Sequence, residues 1–246
     1  MKKACAFCLL LTLTSGIVSF APAAHAQIVV RDVIRHMLPT QRPIENAKVT
    51  NTSKEQILRA NIEVQESTRT ADYDEKLSPS EDFIIAPKSM ILRPEEERIA
   101  RLVLRKPPEE KTERYYRINF RPSIPRAEEL RELGVTQSEI DRIQAKVNLI
   151  SGTGIFITIA PQEINPKLTH ERDATGITFK NEGNVSIDMR SRRDVCFTDN
   201  NCVDLPSKRL YPGQSWRYEV AGEHEFVYYY NIYDKNRSLQ LEPASE

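Results

Sequence analysis

The sequence predicts an all-β chain built as two antiparallel sandwiches. Three observations carry that prediction. Short segments with strict apolar–polar alternation recur along most of the chain, and a period of two is the signature of half-buried strands. Proline and Asn/Ser turns separate these segments, and only one stretch has helical character. A length of 246 residues with 39% hydrophobic side chains is enough for two ordinary cores.

The N-terminus stands apart from this pattern. Lys2 and Lys3 precede an apolar run from Ala4 to Phe20, and Ala24 and Ala26 then form an A-x-A cleavage site. Residues 1–26 therefore read as a secretory signal of bacterial type, with Gln27 as the first mature residue. An uncleaved anchor helix is the alternative. Loss of the signal takes the 35 basic residues to 33 against 35 acidic ones, a net charge of −2.

Leu58 to Gln65 alternates cleanly: Leu58, Ala60, Ile62 and Val64 against Arg59, Asn61, Glu63 and Gln65. Arg98 to Arg105 and Tyr115 to Arg121 repeat the pattern. Between them, Phe83 to Pro94 carries Pro87, which suits an edge strand or a broken one. Residues 126–146 are rich in Glu, Arg, Leu and Gln, with a capping box at Thr136 and Glu139. They are expected to form a solvated connection with a short helix. Val147 to Pro161 is a long β-rich run with Gly152 and Gly154 near its middle, where a strand can bend or change partner. Pro161 to Pro166 is a stiff linker. Alternation resumes at Val185, Ile187 and Met189, at Trp216 and Tyr218, and at Phe226, Tyr228, Tyr230 and Ile232, with Leu239 and Leu241 closing the sheet. The units are thus 27–161 and a smaller 162–246.

Two cysteines remain after the signal, Cys196 and Cys202. An even count in an exported chain suggests one disulfide, and the turn formers between them allow it. A metal site would need two further ligands, and His170 and His224 are distant in sequence. The balanced charge, without a basic tract, gives no reason to expect nucleic acid. The single apolar run rules out a multi-pass membrane protein and leaves the mature chain without an insertion segment. No G-x-S-x-G, H-E-x-x-H or P-loop pattern occurs, so no enzyme and no cofactor are expected. Asp32 and His36 fall on one strand face, where a solvated polar face competes with an acid/base pair. Tyr228 to Tyr230 could stack on a sugar, or pack a core on one face.

The order of these signals resembles the periplasmic pilus-assembly chaperones of the chaperone–usher pathway, the PapD-like superfamily. Four segments carry the resemblance. Arg35 is followed by Ala47-Lys48-Val49-Thr50-Asn51, like the family's first hairpin. Ile85-Ala86-Pro87 to Leu92-Arg93-Pro94 is similar to its P-P-x-x-x-x-L-x-P strand and turn. Tyr115 to Pro125 resembles its aromatic–N–hydrophobic–R–x–I–P segment, ending at Ile124-Pro125. The run to Pro161 occupies the place of the pilin-binding strand.

The resemblance implies two immunoglobulin-like domains in an L shape and a periplasmic location. It also implies a chaperone that completes a pilin's open core with its own edge strand and delivers the subunit to an outer-membrane usher. The strand face offered would be Val147 and Leu149, with Ile150 or Ser151. Such an edge breaks the rule that edges are blunted, so self-association through it is a further expectation. Arg35, with Arg31 as the fallback and a surface arginine as the alternative, would take the family's place for gripping the pilin's terminal carboxylate. The family's partner lysine on the long strand is missing. Counting back from Pro161 reaches Phe156, and no Lys or Arg lies between Asn148 and Ala160. Lys146 or Arg121 could substitute, and the departure suggests a divergent branch. A secreted two-domain adhesion or structural module is the competing reading.

Overall fold

The computed structural model describes residues 27–40, 43–69, 74–105, 111–145, 151–189, 195–196, 202–203, 208–219, 226–233 and 235–241. For residues 195, 196, 202, 203, 226–229, 236, 238, 240 and 241 only the backbone is described. The expected signal, residues 1–26, lies outside these.

The first sandwich uses β1 (Ile28–Val30), β2 (Ile34–Met37), β3 (Ile44–Asn51), β4 (Leu58–Arg69), β5 (Glu75–Pro79), β6 (Phe83–Ala86), β7 (Ser89–Leu92), β8 (Glu97–Leu104) and β9 (Arg114–Ser123). Two helices follow, α1 (Ala127–Glu132) and α2 (Gln137–Ala145), and then β10 (Thr153–Ile159). One sheet runs β1-β3-β8-β6. The other runs β2-β10-β9-β4-β5, with β7 also paired to β4. Alternation sets the inner face: Leu58, Ala60 and Ile62 of β4, Ala100, Leu102 and Leu104 of β8, and Tyr116, Ile118 and Phe120 of β9 are all buried in one core.

Two breaks move the chain between the sheets. Pro87 cannot donate a ladder hydrogen bond, and the run Phe83 to Leu92 divides there into β6 in one sheet and β7 in the other. The first strand divides in the same way. β1 pairs antiparallel with β3, β2 pairs parallel with β10, and Asp32 between them sits at φ 55°, a conformation Asp tolerates better than most residues. At the far edge, β5 is five residues long, exposes Lys76 and ends at Pro79.

The stretch expected to be a solvated connection folds as two helices that bury Leu130 and Ile140 completely. At Thr136 half of the expected capping box forms: its N–H donates to Glu139 Oε2 at 3.0 Å, while its Oγ1 also donates to that carboxylate at 2.7 Å and the Glu139 N–H goes to the Thr136 carbonyl. Arg59 of β4 forms an ion pair with Glu129 of α1, tying the helices to the sheet.

The second sandwich uses β11 (Leu168–Asp173), β12 (Gly176–Asn181), β13 (Ile187–Asp188), β14 (Val195–Cys196), β15 (Cys202–Val203), β16 (Arg209–Leu210), β17 (Ser215–Glu219), β18 (Phe226–Ile232) and β19 (Lys235–Leu241). The sheets are β11-β12-β17 and β16-β13-β18-β19, with β14 and β15 as a separate ribbon. Val185, Ile187 and Met189 are all buried, as the alternation predicts, although only Ile187 and Asp188 have strand pairing. The fold is therefore all-β, with two sandwiches and two separate cores.

A buried asparagine plays the same part in each sandwich. Asn51, at the end of β3, donates from Nδ2 to the carbonyls of Gln56 (2.7 Å), Leu92 (3.2 Å) and Arg93 (3.0 Å). Asn181, at the end of β12, donates to Val185 (2.8 Å) and Leu210 (2.9 Å). Each side-chain oxygen accepts the N–H two residues on. The bonds to Leu92, Val185 and Leu210 are buried, where an unpaired carbonyl is costly. Asn51→Ala should lower the stability of the first sandwich by about 2–3 kcal/mol, read in denaturant melts as loss of its own transition.

Candidate functional site: the long strand and the recess between the sandwiches

Strand β10 is anchored by the odd positions Ile155, Ile157 and Ile159, each at most 1% exposed in the first core. Its two edges differ. Along β9 it is paired over its whole length, from Thr153 opposite Phe120 to Ile159 opposite Arg114. Along β2 the parallel pairing begins only at Phe156, whose N–H donates to Val33 O at 2.7 Å. Ser151 lies just upstream, half-buried, and its carbonyl accepts the Gln27 N–H at 3.2 Å. Gly152 passes where no other residue can: a Cβ there would stand 2.3 Å from the Phe120 carbonyl oxygen and 2.6 Å from Pro122 Cδ. Val147, Leu149 and Ile150, the other residues expected to face a partner, lie outside the described residues, as does Lys146.

Arg35 lies on β2 opposite Ile157, so it shares the inward face of that strand. Its guanidinium bridges the two sheets at their edge. Nη1 donates to Glu45 Oε2 (2.7 Å) and to the Asn46 carbonyl (3.0 Å), Nε to the Asp32 carbonyl (3.1 Å), and Nη2 to that of Arg31 (3.1 Å). The β2 residue across from Phe156 on the outward face is Ile34. Asp32 lies in the bend before β2, and His36 packs against Tyr233 of the second sandwich at 5.2 Å between ring centroids.

Phe156 occupies the position counted for the missing lysine, and arginines surround it. The guanidinium carbons of Arg69 (β4), Arg117 (β9) and Arg209 (β16) lie 5.8, 5.9 and 6.0 Å from its ring centroid. Arg69 also lies 5.0 Å from the Tyr211 ring, which meets Tyr115 edge-on at 4.9 Å. Glu75 serves two of these cations, accepting from Arg69 at 2.9 Å and from Arg117 at 2.8 and 2.6 Å. Asp188 pairs with Arg209 at 3.3 Å. Among the described residues, three cations from both sandwiches thus share two carboxylates, and Arg69 also lines a recess of about 420 Å³ together with Glu66, Glu113, Arg114, Tyr115 and Tyr211. Arg121, weighed from the sequence as a substitute, lies four residues further along β9 and pairs with Glu63 at 2.9 Å.

The sandwiches also meet at Glu113, a buried carboxyl just before β9. It accepts from Tyr115 Oη (2.6 Å), from the Ser186 N–H (2.7 Å) and from the Tyr233 hydroxyl. Asn184 fastens the linker, donating to the Lys111 and Glu163 carbonyls at 2.8 and 2.7 Å. Sequence reading missed Glu113, Arg69 and Arg209, because no local spacing joins residues that meet only after folding. Cys196 and Cys202 are placed directly opposite each other by the β14–β15 register. Their side chains lie outside the description.

The hydrogen bond from Arg117 holds the Glu75 carboxyl below its ordinary value, helped by Ser67 and by the charge of Arg69 against a smaller opposing effect of burial. A lowered carboxyl adds stability that is whole above the ordinary carboxylate value and is lost as pH falls through the folded value. Glu75→Gln should therefore remove part of the acid limb below about pH 4.5 in stability–pH melts, by about 1 kcal/mol or less for so exposed a pair.

No protein-family model matches the chain, and no curated protein sequence matches it. Solved structures do match. The chain is similar to a structure described as a chaperone–tip adhesin complex vital for activation of CFA/I fimbriae biogenesis, with 21% identity, a TM-score of 0.57, and coverage of 89% of this chain and 100% of that one. It is similar to the class 5 fimbriae chaperone CfaA, with 18% identity, a TM-score of 0.60 and coverage of 88% and 99%. It is also similar to a structure of the Salmonella enterica SafA pilin in complex with the SafB chaperone, with 13% identity, a TM-score of 0.52 and coverage of 89% and 98%. With two sandwiches matched end to end at low identity, the chain carries a divergent form of the fold of the fimbrial chaperones.

Proposed function

We propose that this protein is a periplasmic chaperone that binds fimbrial subunits by strand addition and passes them to an outer-membrane usher. The observation that supports this most is the likeness, over 88–89% of the chain, to fimbrial chaperones, among them structures described as complexes with a tip adhesin and with a pilin. In this reading residues 27–161 form the subunit-binding unit and 162–246 the second domain. Residues 147–151 form a donated edge: backbone groups pair with the subunit, and Val147 and Leu149, with Ile150 or Ser151, fill its groove. The start of β10 suits this role, because β2 does not flank it before Phe156. Free of a subunit, the same edge is open to a second copy of the chain. The site works by contact alone and requires neither a cofactor nor a nucleotide. Replacement of the donated strand by the next subunit's extension supplies the driving force for release.

The subunit's terminal carboxylate is assigned to Arg69, Arg117 and Arg209 beside Phe156, in place of the family's long-strand lysine. A carboxylate entering there would balance the third cation. Arg35 acts on capture through the placement of β2, which it ties to Glu45 and Asn46. In the oxidising periplasm, Cys196 and Cys202 close a disulfide across the β14–β15 ribbon.

Co-expression with the cognate subunit in the periplasm tests the reading. A one-to-one complex should co-purify, and the subunit should be degraded without the chaperone. Leu149→Glu should abolish capture, since a carboxylate would enter an apolar groove. Arg69→Ala with Arg117→Ala should weaken it by at least ~10-fold with the fold intact. A subunit that accumulates unaided, or a Leu149→Glu protein that captures normally, would overturn the proposal.

A further inference from the structure

Glu113 is a buried acid that subunit binding does not use. Its residue is 6% exposed, and among the described residues no lysine or arginine is ion-paired with it. The groups that face it come from both sandwiches. Tyr115 Oη approaches from β9, with Tyr211 edge-on behind it. The Tyr233 hydroxyl approaches from the turn after β18, with His36 of β2 behind its ring. The Ser186 N–H approaches from the segment before β13, and the Asn184 carbonyl accepts Glu113's own N–H at 3.1 Å. The neighbouring Arg114 pairs with Asp82 at 3.3 Å, and Glu66, Arg69 and Arg114 line the same recess as Glu113.

We propose that this cluster is a proton-operated clasp between the two sandwiches, which holds while Glu113 is neutral and slackens when Glu113 loses its proton. A neutral carboxyl satisfies all three neighbours without a buried charge: one oxygen accepts from Tyr115 and Ser186, and the other, carrying the proton, donates to the Tyr233 oxygen, so that this bond reverses when the proton leaves. A carboxylate would keep the hydrogen bonds but place a charge without an ion-pair partner, among the described residues, on a side chain that is almost wholly buried. Burial raises the Glu113 carboxyl above its ordinary value, against the lowering pull of Tyr115, Tyr233 and Ser186 in that order. The sign follows: the clasp's contribution is whole below the ordinary carboxyl value and is lost as pH rises through the raised folded value. Opening the clasp would move Tyr211 and Arg209 away from Tyr115 and Phe156, and so widen the recess between the sandwiches. The clasp stands on the two-sandwich contact alone, so subunit capture can fail without touching it.

The Ser186 amide reports directly on Glu113, and small-angle scattering reports on the separation of the sandwiches. In the purified protein, the Ser186 ¹H–¹⁵N shift should titrate with a midpoint above 4.5, and the radius of gyration should grow over the same interval. Glu113→Gln, neutral at every pH, should remove both changes and stay compact. Tyr233→Phe, which deletes one donor to the carboxylate, should move the midpoint further up. The clasp would be overturned by a Ser186 midpoint at or below 4.5. It would equally be overturned by a titration without any change in scattering, or by Glu113→Gln opening with pH as the unaltered protein does.

Discussion

The structure depends on how β10 is held. Three isoleucines on its odd positions bury it in the first core, and β9 pairs with it from end to end. Its other edge pairs with β2 from Phe156 onward, after the chain has bent at Asp32, and upstream the Gln27 N–H meets the Ser151 carbonyl. The C-terminal half thus has a ladder on both sides, while the N-terminal half has one on the β9 side and, among the described residues, no strand pairing on the other. Rigid anchoring matters for strand addition, because a floppy donor would lose more conformational entropy on binding. Gly152 keeps the N-terminal half close against β9 by leaving out a side chain that would strike the Phe120 carbonyl.

The region between the sandwiches has two kinds of polar chemistry side by side. Around Phe156, three arginines share two carboxylates among the described residues, and one of them, Arg69, borders the recess. Around Glu113, an acid is enclosed by hydroxyls and an amide. Tyr115 belongs to both, packing against Phe156 and Tyr211 with its ring and reaching Glu113 with its hydroxyl. A change in the joint is therefore coupled through one side chain to the cation-rich surface.

Much of the fold was legible because alternation is a local signal. Leu58 to Gln65, Tyr115 to Arg121 and Val185 to Met189 each bury the face their pattern assigns. Pro87 marked a real break, and Thr136 with Glu139 marked a real helix start. Burial of Leu130 and Ile140 was not legible, since two apolar positions in a highly charged stretch do not reveal what covers them. The site was harder still. A strand has two faces and a shift of one residue exchanges them: Arg35 pairs with Ile157 and Ile34 with Phe156, a register that counting along the sequence does not reveal. Arg69, Arg117 and Arg209 come from three strands and two sandwiches, and their convergence is a property of tertiary structure that no spacing encodes.

The far edge of the same sheet has a consequence for stoichiometry. β5 is short, charged at Lys76 and stopped by Pro79, which has no N–H to offer a neighbouring strand. A sheet receptive at both margins could string molecules together side by side without limit. With one margin blunted, a guest added along β10, as the proposed function has it, would find no equivalent berth opposite, and assembly on this scaffold would end at a single pair instead of growing into a ribbon.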